Sequence, residues 1–384
     1  MPRPDLDDLL RRGLTCGDPL ADALAEEVAA HPASRRAFTT GLERGLAAVP
    51  DAAPAVRDLL GEMERVAASV DGDVLDGAAR ASWTIPFAAH ALDVGAGALL
   101  RSYAPPDPAA VLVSTGQLTE QATRRLLDTA RWLNAASLPG GLRTGRPGYV
   151  ETGRVRLLHA VVRRAVRRRD PDGPLPLHQV DMARTWLDFT LVTPDCDEAL
   201  GLGLTAEEQN RLYTYWRHLG ALLGVDPDLL RGVVDRRTAV DLDRRIEALT
   251  GPPSADSRAL TAAGLGALTE GLSDASGVPR RVAGPVVAVV ARAMHGPRVA
   301  DALGVPRYGP SHHLVPLVAA VLRRRRRRLR QRPAAWHAVV AANIEQGRRF
   351  VEAGELPAPE LPRLPRVPRV PRPRAVGAPV TGGR

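Results

Sequence analysis

The stretch 151–170 carries the apolar spacing of an amphipathic helix, and this spacing constrains the fold more than any other feature of the chain. At about 100° per residue, four apolar side chains share one stripe of that helix: Val155, Leu158, Val162 and Val166. Helical spacing recurs along the chain, and no stretch shows the alternation of a half-buried β-strand. Aromatic residues make up only 4% of the sequence, so the core must be built from Leu, Val and Ala, which favours helix. The sequence therefore predicts an all-α protein.

One polar side chain, His159, falls on this apolar stripe. Arg156 and Arg163 lie three residues before it and four residues after it, along one flank of the same face. An inward-facing histidine between two arginines suits a flat, apolar group with a metal at its centre and carboxylates on its rim. A haem has this chemistry, with histidine on the iron and arginine on the propionates. A lone histidine on an apolar face is more often an ordinary core residue, so the helix alone leaves both interpretations open.

A second helix is predicted over 119–136, with Thr119 as its cap. Arg125 and Thr129 are four residues apart and therefore share a face of this helix. In most helices such a pair is a partly exposed arginine and a threonine bonded to its own backbone. The Gly- and Pro-rich segment 137–150 reads as the loop that joins this helix to the one with His159. Two helices joined in this way can face one another across a cavity.

The net charge of +9 permits contact with anionic membranes or nucleic acid, and every basic residue is an arginine. Much of the excess lies in the run Arg323–Arg332 and after Pro362. No aromatic residue interleaves the run, which weakens a nucleic-acid interpretation. No apolar run reaches the length of a spanning helix, and the N-terminus lacks the apolar run of a signal peptide. Cys16 and Cys196 indicate no disulfide framework. We expect a soluble, cytoplasmic protein.

Three regions follow from the pattern of helices and breaks. Residues 1–80 are predicted to be packing helices without a motif. Residues 81–353 are predicted to form the main helical domain. Residues 354–384 are rich in Pro and Arg, and this composition predicts a disordered tail.

Five stretches together resemble one known family: DVGAGALLRSYAPPDPAAVLVSTGQLT, RRLLDTARWL, GRVRLLHAVVRR, PLPLHQVDMARTWLDF and LYTYWRHLGALLGV. They occur in the family's order over roughly residues 80–300 and resemble the catalytic domain of bacterial rubber oxygenases (latex clearing proteins), which also includes the fungal ER-bound oxygenase MpaB. The element formed by Arg156, His159 and Arg163 is the most specific of them.

The resemblance implies a globin-like helical core, with additional packing helices, around one haem b. It implies that His159 is the iron ligand and that Arg156 and Arg163 bind the propionates or orient the histidine. Thr185, in the PLPLHQVDMARTWLDF stretch, becomes a further expected cofactor contact.

The resemblance also implies a set of residues on the distal side of the haem, where the family has an R-x-x-K-T arrangement. Arg125 and Thr129 keep the first and last positions of that arrangement. Asp128 stands where the family has lysine, so no lysine can reach the iron here. An aspartate at this position could pair with Arg125 or act on a distal water. This departure counts against a rubber-specific assignment.

The function expected is a haem b-dependent oxygenase that uses dioxygen on a small apolar substrate, alkenes included, with Arg125, Asp128 and Thr129 as catalytic residues. An electron donor is left open, nucleic acid is not expected as a partner, and Arg323–Arg332 could give a weak contact with an anionic membrane. Two alternatives remain: a haem-binding protein without catalysis, and a basic peripheral protein that acts on membrane or nucleic acid without a cofactor.

Overall fold

The computed structural model describes residues 5–114, 122–309 and 313–353. These residues form helices and no strand, which confirms the all-α prediction. The predicted cap Thr119 and the predicted disordered tail 354–384 lie outside the described residues. In chain order the α-helices are α1 (Leu6–Gly13), α2 (Pro19–Ala30), α3 (Ala33–Arg44), α4 (Pro54–Ala67), α5 (Gly72–Ser82), α6 (Phe87–Leu92), α7 (Leu100–Ser102), α8 (Pro106–Ser114), α9 (Ala122–Ser137), α10 (Pro147–Arg169), α11 (Gln179–Leu187), α12 (Thr193–Ala199), α13 (Ala206–Leu222), α14 (Pro227–Arg231), α15 (Arg236–Leu249), α16 (Ala255–Ser276), α17 (Arg280–Ala302), α18 (Leu314–Arg330) and α19 (Pro333–Ala353).

Local sequence signals fix several helix ends. Thr205 and Glu208 form a reciprocal capping box at the start of α13. Gly224 follows the end of that helix with φ +80°, a conformation that favours glycine. Farther along, α17 is kinked at Gly296, which has non-helical backbone angles.

The first 80 residues belong to the same core as the rest of the chain. Leu24, Leu42 and Met63 of α2, α3 and α4 are completely buried in one cluster with Tyr149 of α10 and Trp216 of α13. Two smaller clusters complete the interior. One joins α7 to α16 and α17, and the other joins Trp83 and α6 to α19. Within this arrangement α10 packs against α2, α3, α9 and α13, so the helix that carries His159 is central.

Two π-helical segments interrupt the α-helices and pack against each other: π1 (Asp93–Leu99) and π2 (Asp188–Val192). The glycines of π1 permit close packing. A Cβ atom added at Gly97 would lie 2.8 Å from Sγ of Cys196, and one added at Gly95 would lie 2.6 Å from Leu268. The chain is therefore helical from Gln179 to Val192, but beyond Leu187 it takes the wider π form, in which one extra residue is fitted into a helix.

None of the described helices is long and apolar enough to cross a membrane.

Candidate functional site

The rotation of α10 differs from the rotation that its apolar stripe predicts. Its core side combines small, aromatic and charged residues with only two aliphatic ones, Val150 and Leu157. Leu158, predicted to be inside, is 53% exposed. The predicted stripe is therefore a flank of the helix and not its core face, and this part of the prediction is wrong. His159 lies at the border between the two sides and is half-buried.

Arg156 holds α10 against the N-terminal helices. Its Nε and Nη2 donate to the two carboxylate oxygens of Asp18 at 2.6 and 3.2 Å, and its Nη1 donates to Glu62 at 2.6 Å. Arg156 is only 3% exposed. Burial works against its positive charge, while Asp18 and Glu62 favour that charge, and the net result is a raised Arg156 pKa. The guanidinium is thus fully engaged by two carboxylates.

Arg163 makes a similar connection two turns farther along α10. Its Nε donates to Asp22 of α2 at 2.8 Å, and its Nη1 donates to the carbonyl of Leu177 at 2.7 Å. Its side chain is 3% exposed. The two arginines that bracket His159 therefore anchor one face of α10 to α2 and to the segment before α11.

Glycines make room for these arginines. A Cβ atom at Gly17 would lie 2.6 Å from Nε of Arg163, and one at Gly224 would lie 2.6 Å from Nε of Arg156. Gln179 ties the same two loops together, because its amide nitrogen donates to the carbonyls of Gly17 and Gly224 at 2.9 Å each. The buried arginines are thus part of a closed polar network.

The register between α9 and α10 places the predicted distal and proximal residues level with each other. A Cβ at Gly148 would lie 2.5 Å from the carbonyl oxygen of Ala135, and Nε1 of Trp132 donates to Oγ1 of Thr152 at 3.0 Å. Residue numbers thus rise along α10 where they fall along α9, so the two helices are antiparallel. Because both rise by about 1.5 Å per residue, the same register sets Thr129 level with Val155 and Arg125 level with His159.

The hairpin formed by α9 and α10 is buried near its loop, and its other end is more exposed to solvent. Leu133, Ala135 and Ala136 of α9 are buried, whereas Thr129 is half-buried and Asp128 is exposed. A cleft of about 480 Å³ lies at the loop end, where it is lined by Asp71, Asp76, Arg143 and Tyr215. It is far along the hairpin from His159.

The residues predicted for the distal side are only partly described. Arg125 lies in α9, but its side chain is outside the described residues. Asp128 forms an exposed ion pair with Arg124, whose Nε lies 3.9 Å from Oδ2 of Asp128. The described partner of Asp128 is thus the arginine four residues before it, whereas the sequence pointed to Arg125.

Thr185 is the expected cofactor contact with the least structural support. Its side chain is exposed on α11, between the buried residues Arg184 and Trp186. Helix α11 packs against α1, α13 and α15. Among the described residues no hydrogen bond or ion pair joins Thr185 to α10, and its cofactor role stays a prediction.

A buried acidic cluster that the sequence did not predict lies where π1 packs against α12. The carboxyl groups of Asp93 and Asp197 lie close to each other, and burial raises the pKa of both well above the ordinary value. Nδ1 of His90 lies 3.3 Å from Asp93, and burial lowers the pKa of His90. Two buried carboxylates next to each other would repel if both were ionised, so this pair favours holding a proton. The only sequence signal was an acidic residue in an otherwise apolar, glycine-rich stretch.

A second buried network surrounds Asp188, the first residue of π2. Arg184 donates to Asp188 at 3.4 Å, and Arg101 lies 3.9 Å from it while donating to Glu247 of α15 at 2.5 Å. Asp188 is completely buried. The network joins α7, α11 and π2 to α15 and gives contacts to two arginines for which the sequence predicted no role.

Comparison with known proteins identifies the family of this chain and a solved structure with a similar fold. The family model described as "ER-bound oxygenase mpaB/B'/Rubber oxygenase, catalytic domain" matches residues 85–331. The chain therefore belongs to this family of oxygenases. Among solved structures, that of latex clearing protein LCP in its closed state is similar with a TM-score of 0.64 at 18% sequence identity, covering 88% of this chain and 91% of that one. At that identity the likeness shows a shared fold. No curated protein matches the sequence.

Proposed function

We propose that this protein is a haem b-dependent oxygenase, an oxidoreductase that uses dioxygen on a small apolar substrate, alkenes included. The observation that carries the proposal is the antiparallel register of α9 and α10. This register sets Arg125 level with His159, and Thr129 lies one helical turn farther along α9. A bound haem would supply the site that binds and activates dioxygen.

His159 is the proposed iron ligand because of its surroundings on α10. It is half-buried, and Val155, Val162 and Val166 on the same flank are also half-buried. Leu158, on the same flank, is exposed to solvent. A histidine beside an apolar surface that the described residues leave partly uncovered suits a flat apolar group. A haem in such a place needs one protein ligand on its iron. No group of three or more His, Cys, Asp or Glu suited to a metal ion occurs among residues 5–114, 122–309 and 313–353.

Arg156 and Arg163 are proposed to orient His159 and not to bind propionates. The charge of each guanidinium is already balanced by a carboxylate on or next to α2. A second anion would have to displace a buried ion pair, which costs several kcal/mol, on the order of 3–5. Of the two roles that the family resemblance implied, the orienting role agrees with these contacts.

Thr129 and Arg125 are the proposed donors on the substrate side. A threonine hydroxyl and an arginine guanidinium there would donate hydrogen bonds to dioxygen and stabilise negative charge as it develops. Asp128, one residue before Thr129, would orient a water molecule or exchange a proton with solvent, because it is exposed. A contact between Thr185 and the cofactor, a cytoplasmic location and the lack of a nucleic-acid partner are retained as predictions. An electron donor is left open.

An absorption spectrum from 300 to 700 nm, combined with a pyridine haemochrome assay, tests the cofactor. We expect one haem b per chain in the parent protein and in His337→Ala, which changes an exposed histidine on α19. His159→Ala should lose haem, and added imidazole should restore the Soret band in His159→Gly. A folded parent protein that neither contains haem nor takes it up, or a His159→Ala variant with unchanged haem, would refute the proposal. Consumption of dioxygen with a panel of alkenes then separates an oxygenase from a haem-binding protein without catalysis.

A further inference from the structure

The outer side of α18 presents an apolar surface to solvent. Its first half carries four large apolar side chains at helical spacing: Leu314, Leu317, Val318 and Val321. They are 59, 64, 54 and 48% exposed, respectively. The opposite side of the same helix is held to the protein, with Ala319 and Arg326 buried. Four neighbouring exposed side chains of this kind are uncommon on a protein surface and indicate a site of contact.

Arginines continue the same outer side into the second half of the helix. At about 100° per residue, Arg324, Arg325 and Arg328 fall within the same arc of about 120° as the four apolar residues. All three are exposed, and no ion pair or hydrogen bond of their side chains occurs within the described parts of the chain. We call this combined surface the outer face of α18.

Three of the other four arginines of the helix behave differently, and the fourth, Arg327, is exposed outside this arc. Arg323 and Arg330 pair with Glu198 and Glu208, and Arg326 donates to the carbonyl of Thr84 at 2.5 Å and lies over the ring of Trp336. These contacts fix the helix on the protein. The arginines of one helix are thus divided between an inner set with partners and an outer set whose charge is not balanced.

The chemistry of the outer face selects its partner. The outer face of a second copy of this chain carries arginine and apolar side chains and no carboxylate, so two-fold pairing of the two faces would leave the arginine charges unbalanced. The segment 354–384 contains six Arg and two Glu, so it would also be repelled. Nucleic acid would use the arginines but leave the four apolar side chains in water. An anionic lipid surface uses both, because its headgroups attract guanidinium groups and its acyl boundary receives apolar side chains.

We propose that the outer face of α18 docks the protein peripherally on anionic lipid membranes. The apolar half would enter the boundary between headgroups and acyl chains, and the arginines would lie at the lipid phosphates. This proposal does not depend on the cofactor or the oxygenase reaction.

Sedimentation of the full chain with lipid vesicles tests the proposal. We expect binding to vesicles of equal parts phosphatidylglycerol and phosphatidylcholine, weak binding to phosphatidylcholine alone, and loss of binding as salt rises. Arg324→Gln with Arg328→Gln should weaken binding roughly 20-fold, at about fivefold per arginine. The control is Arg35→Gln with Arg36→Gln, which removes the same charge from exposed positions on α3.

A second pair of variants tests the apolar half. Leu317→Asn with Val321→Asn should weaken vesicle binding by about tenfold or more, since two apolar side chains no longer enter the lipid. The control, Val74→Asn with Val234→Asn, changes side chains that are 55 and 49% exposed elsewhere. Circular dichroism should show all four variants folded. The proposal is wrong if anionic vesicles do not bind the parent protein, or if the α18 variants bind like their controls. It is also wrong if binding is instead to nucleic acid and depends on the arginines alone.

Discussion

Arg156 and Asp18 form a buried, two-point ion pair across 138 residues of sequence, with donor–acceptor distances of 2.6 and 3.2 Å. The pair joins α10, the helix that carries His159, to Asp18 at the start of α2. Asp18 also accepts a hydrogen bond from the backbone nitrogen of Ala21, so it caps α2 as well. One carboxylate therefore fixes both the start of an N-terminal helix and the position of α10.

Asp18→Asn tests the energy of this pair. Asparagine keeps the helix cap but removes the charge, so the buried Arg156 loses its principal counterion. We expect the free energy of unfolding, measured with urea, to fall by about 3–5 kcal/mol. Glu43→Gln is the control, because Glu43 pairs with Arg154 of the same helix at 2.9 Å in an exposed position. It should change stability by less than about 1 kcal/mol. Equal losses in the two variants would contradict the role given to Asp18.

Gly148→Ala tests the close contact between α9 and α10. A Cβ there would meet backbone atoms of Ala135 and Ala136 at 2.5 and 2.6 Å, and backbone cannot move aside as a flexible side chain can. We expect a loss of about 1–3 kcal/mol in the free energy of unfolding. Gly77→Ala, in α5, meets nothing within 4 Å and should instead stabilise the protein by about 0.5–1 kcal/mol. Thermal melts should show a lower melting temperature for Gly148→Ala and a higher one for Gly77→Ala than for the parent protein. A stabilised Gly148→Ala would mean that α9 and α10 are farther apart.

Thr129→Ala tests the proposed substrate side of the site. The variant should retain haem, because its predicted role is toward dioxygen, and its turnover should fall roughly 100-fold from loss of one preorganised donor. Thr123→Ala, two turns earlier in the same helix and exposed, is the matched control and should retain full turnover. Oxygen-electrode rates and spectra of the dioxygen-bound ferrous protein provide the measurement. Identical rates in all three proteins would exclude Thr129 from the reaction.

The buried side chain of His218 should make the free energy of unfolding depend on pH. It is 4% exposed in α13, and burial lowers its pKa to about 4 from 6.5. The unfolded chain therefore binds a proton below pH 6.5 while the folded chain does not, so acidification from pH 6.5 toward 4 favours unfolding. Between pH 7.5 and pH 5 this one group should remove about 2 kcal/mol of stability.

The matched measurement for His218 is urea unfolding of His218→Gln and of the parent protein at pH 7.5 and pH 5. The parent protein should lose about 2 kcal/mol more than the variant on acidification, after any constant offset from packing is subtracted. His337→Gln changes an exposed histidine and should follow the parent protein. A His218→Gln variant with the same pH dependence as the parent protein would show that His218 titrates normally.

The positions of the helices were readable from the sequence because their signals are local. Apolar residues recur every three to four positions, and caps and breaks mark the ends, as at Thr205 and Gly224. The loop between α9 and α10 likewise followed from its Gly and Pro content. These features predicted an all-α protein and identified the hairpin that carries the candidate site.

The rotation of α10 and the partners of its arginines were decided only by the tertiary structure. Hydrophobicity pointed to a stripe through Leu158, yet the core side of the helix holds Arg156 and Arg163. Burying those charges is possible only because Asp18 and Asp22 lie beside them, and those carboxylates are more than 130 residues earlier in the chain. The same holds for the buried carboxyl pair of Asp93 and Asp197, which depends on π1 packing against α12. Sequence spacing reports which residues share a helix face, whereas the electrostatic energy of a buried charge depends on which distant group the fold places against it.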